Sequence, residues 1–387
     1  MSHLGDILII AIDSRALMNP PAGVGNFLIA AVNYWSTIRP SWQFYLLVNR
    51  DIHISCSEKL LKNSNIQIMK KPFCICPNIG LLWFICKLFF VLKKIKPDFF
   101  WAPSGILPPM IPSSVKILLT VHDLVPVKYR HTMMKADKYY YRLYFKKSIC
   151  RADILWAVSY YTREQIKKMY PSRKSKTILV GQCFEKKRFH PVSVAPETRN
   201  SIQQQYGLNE KFLLYVGTIE PRKNLRFLIS LMPELVKHGF SLLIVGAKGW
   251  GKAGIHDKLQ SDKKVNDRIA FSGFITDSEL ITIYNHACLL AIPSINEGFG
   301  LPALEAMLCR CPVVAADHSG LHEVVKDGGM LIRGWDKKKW IQGIMEVSQN
   351  REKYIQKGML KSLYYDPAET IQTVSKAVEL EKYRCVQ

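Results

Sequence analysis

Short apolar runs recur along the first half of the chain and alternate with stretches of helical character. Apolar and polar positions alternate little within the runs, which favours strands buried on both faces, as in a parallel sheet. The predicted strands are Ile7–Ile12, Phe44–Val48, Ile66–Met69, Phe99–Trp101, Ile117–Val121, Ile154–Val158 and Thr177–Val180. This rhythm predicts successive βαβ units and an α/β fold.

The pattern changes around Glu185–Pro196, where charged residues and prolines replace the apolar runs and predict a linker. A second series of predicted strands follows at Phe212–Val216, Leu242–Val245, Ile269–Phe271, Cys288–Ile292, Val313–Ala315 and Met330–Ile332. Asp366 and Pro367 then begin a helical segment that extends to Tyr383. We therefore predict two Rossmann-like domains that face each other across a cleft, residues 1–190 and 191–365, and a C-terminal helix within residues 366–387.

Polar or small residues follow several of the predicted strands directly. Asp13 follows the first strand, His122 the fifth and Ser159 the sixth. Because ligands bind outside the carboxyl ends of strands in an open parallel sheet, we expect these residues to converge on one crevice. A turn with Gly23 and Gly25 opens the next helical stretch and is a second possible anion site, although such turns are also common as plain connections.

The stretch Glu297–Glu305 carries the most distinctive chemistry. Two glycines flank a phenylalanine, a proline suits the first turn of a helix, and a carboxylate stands at each end. Backbone N–H groups at the start of a helix favour an anion such as phosphate. The carboxylates can accept hydrogen bonds from hydroxyl groups, so the stretch predicts a nucleotide-sugar site; a plain capping loop would leave both glycines unexplained.

Arg222 and Lys223 stand in the loop that leaves the first strand of the second domain. The guanidinium group of arginine offers a planar fork for phosphate oxygens, and the ammonium group of lysine offers a mobile point charge. The alternative is a surface pair of charges at the start of a helix. Cations are unfavourable at that position without a bound anion, which favours the phosphate-binding interpretation.

The chain is strongly basic, with 54 Lys and Arg residues against 31 Asp and Glu residues and a net charge of +23. Residues 1–190 hold 29 basic and 10 acidic residues, so most of the excess lies in the first domain. This charge indicates an anionic partner, either a membrane surface or a nucleic acid. Residues 79–96 and 132–150 combine aromatic residues with lysines and could be interfacial helices or helices packed on the sheet.

Other features narrow the class of protein. Asp6 and Asp13 flank the first apolar run, so a first strand is predicted there and not a signal peptide. The longest apolar run, from Ile79 to Leu92, is interrupted by Lys87 and is shorter than the ~20 residues of a spanning helix. The ten cysteines include no C-x-x-C pair, so we expect no zinc site and reduced thiols in a cytoplasmic protein.

Several motifs occur together in a fixed order. They are I-D-S-R-A-L and A-G-V-G-N-F between positions 12 and 27, V-H-D-L at 121–124, V-G-T-I-E-P-R-K-N-L at 216–225, E-G-F-G-L-P-A-L-E at 297–305 and P-V-V-A-A-D-H-S-G-L-H-E-V-V at 312–325. This set resembles family 4 of the retaining glycosyltransferases over nearly the whole chain. The resemblance implies a GT-B fold in which the C-terminal domain binds the nucleotide sugar, the N-terminal domain binds the acceptor, and the last helix crosses back onto the first domain.

The resemblance also implies roles for individual residues. Glu305 would accept hydrogen bonds from the ribose, Arg222 and Lys223 would neutralise the leaving diphosphate, and Glu297 and His122 would act at the transferred sugar. The donor-binding residues implied in this way are Gly23, Gly25, Thr218, Arg222, Lys223, Gly298, Phe299, Gly300, Leu301 and Glu305. Thr218 stands where many members of the family have an arginine. The family needs no metal, and no metal or other cofactor is expected here.

The motifs are most similar to those of mannosyltransferases that build bacterial surface polysaccharide. This similarity implies GDP-mannose as the donor, a lipid-linked glycan as the acceptor, and a peripheral location on the inner face of the cell membrane. One alternative is a nucleotide-sugar epimerase of the same GT-B fold, which would leave the basic first domain unexplained. Another is a nucleic-acid-binding protein, but the lysines are dispersed without an RNA-binding aromatic motif, so no nucleic-acid partner is expected.

Overall fold

The computed structural model describes residues 7–20, 22–71, 81, 83–128, 135–171, 177–247 and 263–384, with the backbone alone described at 126, 128 and 135–139. The chain divides into two compact units. The first comprises the described residues up to Lys128, the segment Lys135–Lys186 and the segment from Asp366 onward. The second comprises Lys187–Tyr365.

A parallel sheet of seven strands forms the centre of the first unit. Its strands are β1 (Ile9–Asp13), β2 (Gln43–Val48), β3 (Ile66–Lys70), β4 (Phe99–Ala102), β5 (Lys116–Val121), β6 (Ile154–Ala157) and β7 (Thr177–Val180). They lie in the order β3-β2-β1-β4-β5-β6-β7. Every residue of β4 and β6 is buried, as expected for strands covered by helices on both faces.

Helices connect these strands. They are α1 (Gly23–Ile38), α2 (Ile54–Ser57), α3 (Leu88–Ile95), α4 (Val125–Lys128), α5 (Lys135–Arg151) and α6 (Tyr160–Met169), and a π-helical turn at Trp83–Lys87 leads into α3. Ser159 is the N-cap of α6, and its Oγ accepts a hydrogen bond from the backbone N–H of Thr162 at 3.0 Å. A short 3-10 turn, Arg15–Met18, follows β1.

Indole rings fill the core on one face of the first sheet. Trp101 and Trp156 stack at 5.6 Å between ring centroids, and Trp35 of α1 packs edge-on against Trp101 at 5.4 Å. The Nε1–H of Trp35 donates to Ser375 Oγ at 2.8 Å, in the C-terminal helix Pro367–Tyr383. This helix also packs against β6 and β7, so the end of the chain completes the core of the first unit.

The second unit contains a parallel sheet of six strands. They are β8 (Lys211–Val216), β9 (Phe240–Val245), β10 (Ile269–Gly273), β11 (Leu289–Ile292), β12 (Val313–Ala316) and β13 (Met330–Ile332). The order is β10-β9-β8-β11-β12-β13. Chain order reverses between β8 and β11, and the switch point of such a sheet is where ligands bind in open α/β folds.

The helices of the second unit surround this sheet. They are α7 (Pro196–Tyr206), α8 (Leu225–Ile229), α9 (Met232–Leu235), α10 (Lys263–Asn266), α11 (Asp277–His286), α12 (Leu301–Leu308), α13 (Gly320–Val325), α14 (Lys337–Gln349) and α15 (Arg351–Leu363), with 3-10 turns at Pro221–Lys223 and Val236–His238. A capping box begins α11, since Thr276 and Glu279 each accept a backbone N–H from the other. Proline occupies the first turn of α7 and of α12, where its missing N–H costs nothing.

The structure confirms the α/β class, the two Rossmann-like sheets and the return of the last helix to the first unit. Each of the predicted strands is present, with ends that differ by at most two residues. Within the described residues, no helix is long and apolar enough to cross a bilayer. Part of the segment at 79–96 and of that at 132–150 lies outside the described residues.

The described parts of these two segments pack on the first sheet. Leu88, Val91 and Leu92 of α3 are buried, while Phe90 is 65% exposed. On α5, Phe145 and Ile149 are buried and Tyr140, Tyr141 and Tyr144 pack partly against the same core. Both helices therefore contribute to the core with one face. Their opposite faces carry lysines to the surface, namely Lys93, Lys94, Lys146 and Lys147.

Candidate functional site

The loop after β11 and the loop after β8 meet in the second unit. Ser294 and Glu297 follow β11, and Arg222 and Lys223 form the 3-10 turn after β8. The backbone N–H of Ile295 donates to the carbonyl of Arg222 at 2.8 Å, which holds the two loops together. Because β8 and β11 are neighbouring strands at the switch point of the sheet, their carboxyl ends bring these four side chains to one place.

Glu297 lies at the centre of this cluster. Its Oε1 accepts hydrogen bonds from Lys223 Nζ at 2.6 Å and Ser294 Oγ at 2.8 Å, and its Oε2 pairs with Arg222 Nη1 at 3.0 Å. Arg222 also donates to Glu220 and, at 2.6 Å, to the carbonyl of Asn296. The pair of cations predicted from the sequence therefore has an internal anion, the carboxylate of Glu297.

The charge state of Glu297 follows from these contacts. Burial alone would raise the pKa of its carboxyl group, but the charges of Lys223 and Arg222 and the hydrogen bonds from Lys223 and Ser294 outweigh burial and lower the pKa to about 2. Glu297 is therefore ionised at neutral pH although it is only 7% exposed. A buried carboxylate next to two cations can orient a hydroxyl group or stabilise positive charge on a sugar ring.

Glycines allow the backbone of this region to pack closely. Gly217 and Gly246 end β8 and β9 with φ angles of +148° and +149°, and a Cβ on Gly246 would lie 2.2 Å from the carbonyl oxygen of Gly217. A Cβ on Gly320 would lie 2.3 Å from the carbonyl oxygen of Gly298. Since no side chain fits at these points, the loops around the cluster depend on glycine at both contacts.

The other residues of the glycine loop support it. Phe299 is buried and packs edge-on against Tyr365, with 5.2 Å between ring centroids. Gly300 has a φ of +118° and precedes Leu301, the first residue of α12. A side chain at Gly300 would contact Leu321 at 2.8 Å. The side chain of Phe299 therefore holds the loop in place, and any donor contact of this residue comes from its backbone.

Glu305 lies on α12 in a different environment from Glu297. Its Oε2 accepts a hydrogen bond from Tyr284 Oη at 3.1 Å. Burial raises the pKa of Glu305, and the charge of Arg188 and the hydrogen bond from Tyr284 offset part of that rise. The structure therefore assigns the two predicted carboxylates different partners, cations for Glu297 and a phenol for Glu305. Thr218 follows Gly217 and is partly buried; its carbonyl accepts from Tyr215 Oη at 3.5 Å.

The remaining predicted site residues lie in the first unit. His122 follows β5, and its ring packs edge-on against Phe27 of α1 at 4.9 Å. Gly23 and Gly25 form the first turn of the same helix, so these three predicted residues share the carboxyl edge of the first sheet. The Nε2 atom of His122 lies 2.9 Å from the carbonyl oxygen of Pro103. Because a carbonyl oxygen only accepts, Nε2 carries the proton and Nδ1 is the acceptor of the ring.

The protonation state of His122 is set by its surroundings. Burial lowers the pKa of His122, while Asp123 and the hydrogen bond to Pro103 offset part of the decrease. The ring is therefore neutral at pH 7 and suited to accept a hydrogen bond from a sugar hydroxyl at Nδ1. Asp13 ends β1 at the same edge of the sheet, where Arg15 pairs with it through two hydrogen bonds of 2.8 Å and stacks over Phe84.

Sequence reasoning missed several partners of the site. Ser294, Glu220, Ser319 and Tyr284 each contact a predicted residue, but single polar residues in loops carry no distinctive signal. Ser294 and Ser319 lie two and three residues beyond the ends of β11 and β12, so the rule that singled out His122, a residue directly after a strand, does not select them. Among the described residues, no group of three His, Cys, Asp or Glu side chains could hold a metal ion.

Comparison with known proteins gives two family matches. Residues 198–358 match the model described as "Glycosyl transferases group 1", and residues 52–183 match that of "Glycosyltransferase Family 4". The first match lies within the second unit and contains the whole cluster around Glu297. The second lies within the first unit and contains His122. Together the two matches cover most of the chain, with the whole second sheet and strands β3 to β7 of the first.

Individual relatives agree with these matches. The chain is 29% identical over 234 residues to the O-antigen chain mannosyltransferase RfbU of Salmonella typhimurium, which covers 60% of each protein. The match thus spans about three fifths of the length of that relative. The chain is also 34% identical over 159 residues to the D-inositol 3-phosphate glycosyltransferase of Mycolicibacterium smegmatis, covering 39% of this chain and 36% of that protein.

Solved structures share the fold. The crystal structure of Anabaena Alr3699/HepE in complex with UDP-glucose superposes with a TM-score of 0.70, covering 97% of this chain and all of that one, at 18% identity. At this identity the likeness concerns the fold alone, which is the GT-B fold.

Proposed function

We propose that this chain, which belongs to the family 4 glycosyltransferases, transfers mannose from GDP-mannose to a lipid-linked glycan in bacterial surface polysaccharide synthesis, with retention of anomeric configuration. The observation that carries the proposal is the cluster of Arg222, Lys223 and Glu297 at the switch point of the second sheet. Two cations and a buried carboxylate at this place suit a sugar joined to a diphosphate, which presents both negative charge and hydroxyl groups.

Cleavage of a sugar–diphosphate bond separates charge. Negative charge develops on the leaving diphosphate and positive charge on the sugar ring, so groups already oriented toward each charge lower the barrier. Lys223 can turn toward the diphosphate because its stem is flexible. Arg222 is held by Glu220 and by the Asn296 carbonyl, so it presents a fixed charge. Glu297 remains ionised and would stabilise the ring charge, and neutral His122 would orient a sugar hydroxyl.

The identity of the donor rests on similarity to relatives. RfbU is by its name an O-antigen chain mannosyltransferase, and another similar protein is the O-antigen chain mannosyltransferase B of Escherichia coli. Mannose is therefore the sugar, and GDP-mannose the donor, that we propose. The reaction we propose needs no metal, since Arg222 and Lys223 would supply the positive charge at the diphosphate.

The surface of the first unit supports a location on an anionic membrane. Leu143 is 62% exposed on α5, and Arg142, Lys146 and Lys147 are exposed beside it. Exposed apolar side chains flanked by lysines favour the interface of a bilayer with anionic lipids. A lipid-linked acceptor would be presented at such a surface. We therefore propose a peripheral location on the inner face of the cell membrane.

A transfer assay tests the proposal. The purified protein is incubated with GDP-mannose, UDP-glucose, dTDP-rhamnose or ADP-glucose and with lipid-linked oligosaccharides from a bacterial membrane extract, and labelled lipid is counted. We expect label in lipid with GDP-mannose, and an axial mannosyl linkage by NMR, as retention requires. Epimerised nucleotide sugar without any transfer would instead identify an epimerase, and neither product from any donor would contradict the proposal.

A further inference from the structure

Ser319 has an unusual backbone for a residue with a side chain. It lies between β12 and α13 with φ of +61° and ψ of −150°. This region of backbone space is occupied almost only by glycine, because a Cβ there meets the neighbouring peptide groups. Ser319 is only 6% exposed, so the conformation is maintained inside the second unit. Strained conformations of this kind cluster at functional sites.

The hydroxyl group of Ser319 both accepts and donates a hydrogen bond. It accepts from the backbone N–H of Glu297 at 2.9 Å and donates to the carbonyl of His318 at 2.6 Å. The next residue, Gly320, donates its backbone N–H to the carbonyl of Glu297 at 3.0 Å. Two consecutive residues thus fix both polar backbone groups of Glu297.

This arrangement requires that Ser319 and Gly320 approach the glycine loop closely. The position of Gly320 leaves no room for a Cβ beside the carbonyl of Gly298, so the two backbones are in direct contact. A glycine at 319 would adopt the observed conformation without strain, but it would lack the hydroxyl group that reaches Glu297. The contribution of serine at this position therefore lies in its hydrogen bond and not in its backbone.

We propose that Ser319 is a positioning residue that fixes the backbone of Glu297, and through it the carboxylate between Lys223 and Arg222. This inference rests on the proposed function, in which Glu297 acts at the transferred sugar. Loss of the Ser319 hydroxyl would leave the cations and the nucleotide contacts in place but would allow Glu297 to move. The effect would therefore fall on turnover and not on the affinity for the nucleotide.

Two variants distinguish the effect of losing the hydroxyl group from the effect of relieving the backbone strain. Ser319→Gly and Ser319→Ala both remove the hydroxyl, but only the glycine relieves the strain. We expect both variants to lose about fivefold to tenfold in kcat, with the Kd for GDP within about twofold of the wild type. We also expect Ser319→Gly to melt at least about 2 °C above Ser319→Ala, because a Cβ is costly in this conformation.

Arg310→Gly is the matched control. Arg310 also has a positive φ, +56°, and lies in the second unit, but it is exposed at the end of α12. A glycine there should leave kcat unchanged, which shows that a new glycine in this unit does not by itself slow the reaction. Wild-type turnover in Ser319→Gly would overturn the proposal, because the hydroxyl would then have no part in positioning Glu297.

Hydrogen exchange gives a reading that is independent of catalysis. The amide of Glu297 should exchange faster in both Ser319 variants than in the wild type, since its acceptor is gone. Equal exchange in the wild type and both variants would overturn the proposed contact. If the wild type transfers no sugar but the Glu297 amide loses protection in the variants, the proposed function fails while the positioning contact stands.

Discussion

At the scale of single residues, Glu297 has two roles that the structure combines. Its carboxylate neutralises Lys223 and Arg222, which is a structural task, and it stands at the switch point of a parallel sheet, where ligands bind. In the proposed reaction a nucleoside diphosphate would share these two cations with Glu297. Because both cations are already held in place in the folded protein, their side chains need to move little when the diphosphate binds.

Removal of the Lys223 charge tests this role. We expect Lys223→Ala to lower kcat/KM for sugar transfer by about 10²–10³, the usual loss when one group that stabilises the transition state is deleted. Lys237→Ala is the control, since Lys237 pairs with Glu234 at 2.7 Å on the exposed surface of the same unit. The control should retain wild-type kcat/KM. Equal activity in the two variants would remove Lys223 from the mechanism.

The pKa of Glu297 predicts a pH dependence of stability. The folded state lowers this pKa from 4.5 to about 2, so the carboxylate stabilises the fold above the unfolded pKa and this stability is lost as the pH falls toward 2. Between pH 7 and pH 3.5 the loss from this group is on the order of 1 kcal/mol. In Glu297→Gln that contribution is absent, so its stability should decline less over the same interval.

Chemical unfolding at pH 7 and pH 3.5 measures this difference. The wild type should lose on the order of 1 kcal/mol more than Glu297→Gln between the two conditions. Parallel losses in both proteins would show that Glu297 is not held as a paired carboxylate in the folded state.

At the scale of elements, the ends of β8 and β9 approach each other so closely that the contact leaves no room for a side chain. Gly246 after β9 lies against the carbonyl of Gly217 after β8, and both have positive φ angles. This contact sets the position of the loop that carries Arg222 and Lys223. A side chain at this point would move the loop away from the cluster.

Gly246→Ala should therefore destabilise the second unit by roughly 2–4 kcal/mol, from backbone strain together with overlap. Gly239→Ala is the comparison, because Gly239 also has a positive φ, +81°, but no described atom beyond its own chain neighbours lies within 4 Å of the place that a Cβ would take. We expect thermal unfolding of Gly246→Ala at a clearly lower midpoint than that of Gly239→Ala. Similar midpoints would mean that the strand ends can separate without cost.

The elements of this fold were largely readable from the sequence. Buried parallel strands such as β6 and β11 are continuous apolar runs, and prolines and glycines mark where their helices begin. The pairing of Arg222 and Lys223 with Glu297 was not predicted, because 75 and 74 residues separate the partners and only the order of the strands brings them together. The strained backbone of Ser319 was not predicted either, because the residue type does not indicate it.

At the scale of the whole molecule, the uneven charge is the feature that the site does not explain. The basic excess lies in residues 1–190, whereas the cluster that would bind the donor lies in the second unit. Helices α3 and α5 bury one face in the first core and carry lysines on the other. An anionic membrane surface is the partner that we propose for these lysines.

Vesicle binding tests this assignment. The double variant Lys146→Glu with Lys147→Glu should bind vesicles that contain phosphatidylglycerol at least about tenfold more weakly than the wild type, since each lysine near such a surface contributes about 1 kcal/mol. A matched double variant in the second unit, Lys353→Glu with Lys357→Glu, carries the same change of charge. If vesicle binding is weakened equally in both double variants, the effect is one of net charge alone, without a role for α5.

The most direct test of the proposed function is whether the protein binds a nucleoside diphosphate. Thermal unfolding of the purified protein would be followed with GDP, UDP, dTDP or ADP at millimolar concentration, because a ligand that binds only the folded state must raise the midpoint. We predict a rise with GDP that exceeds the rise with the other three and is reduced in Lys223→Ala. An unchanged midpoint with all four nucleotides would contradict the proposed function.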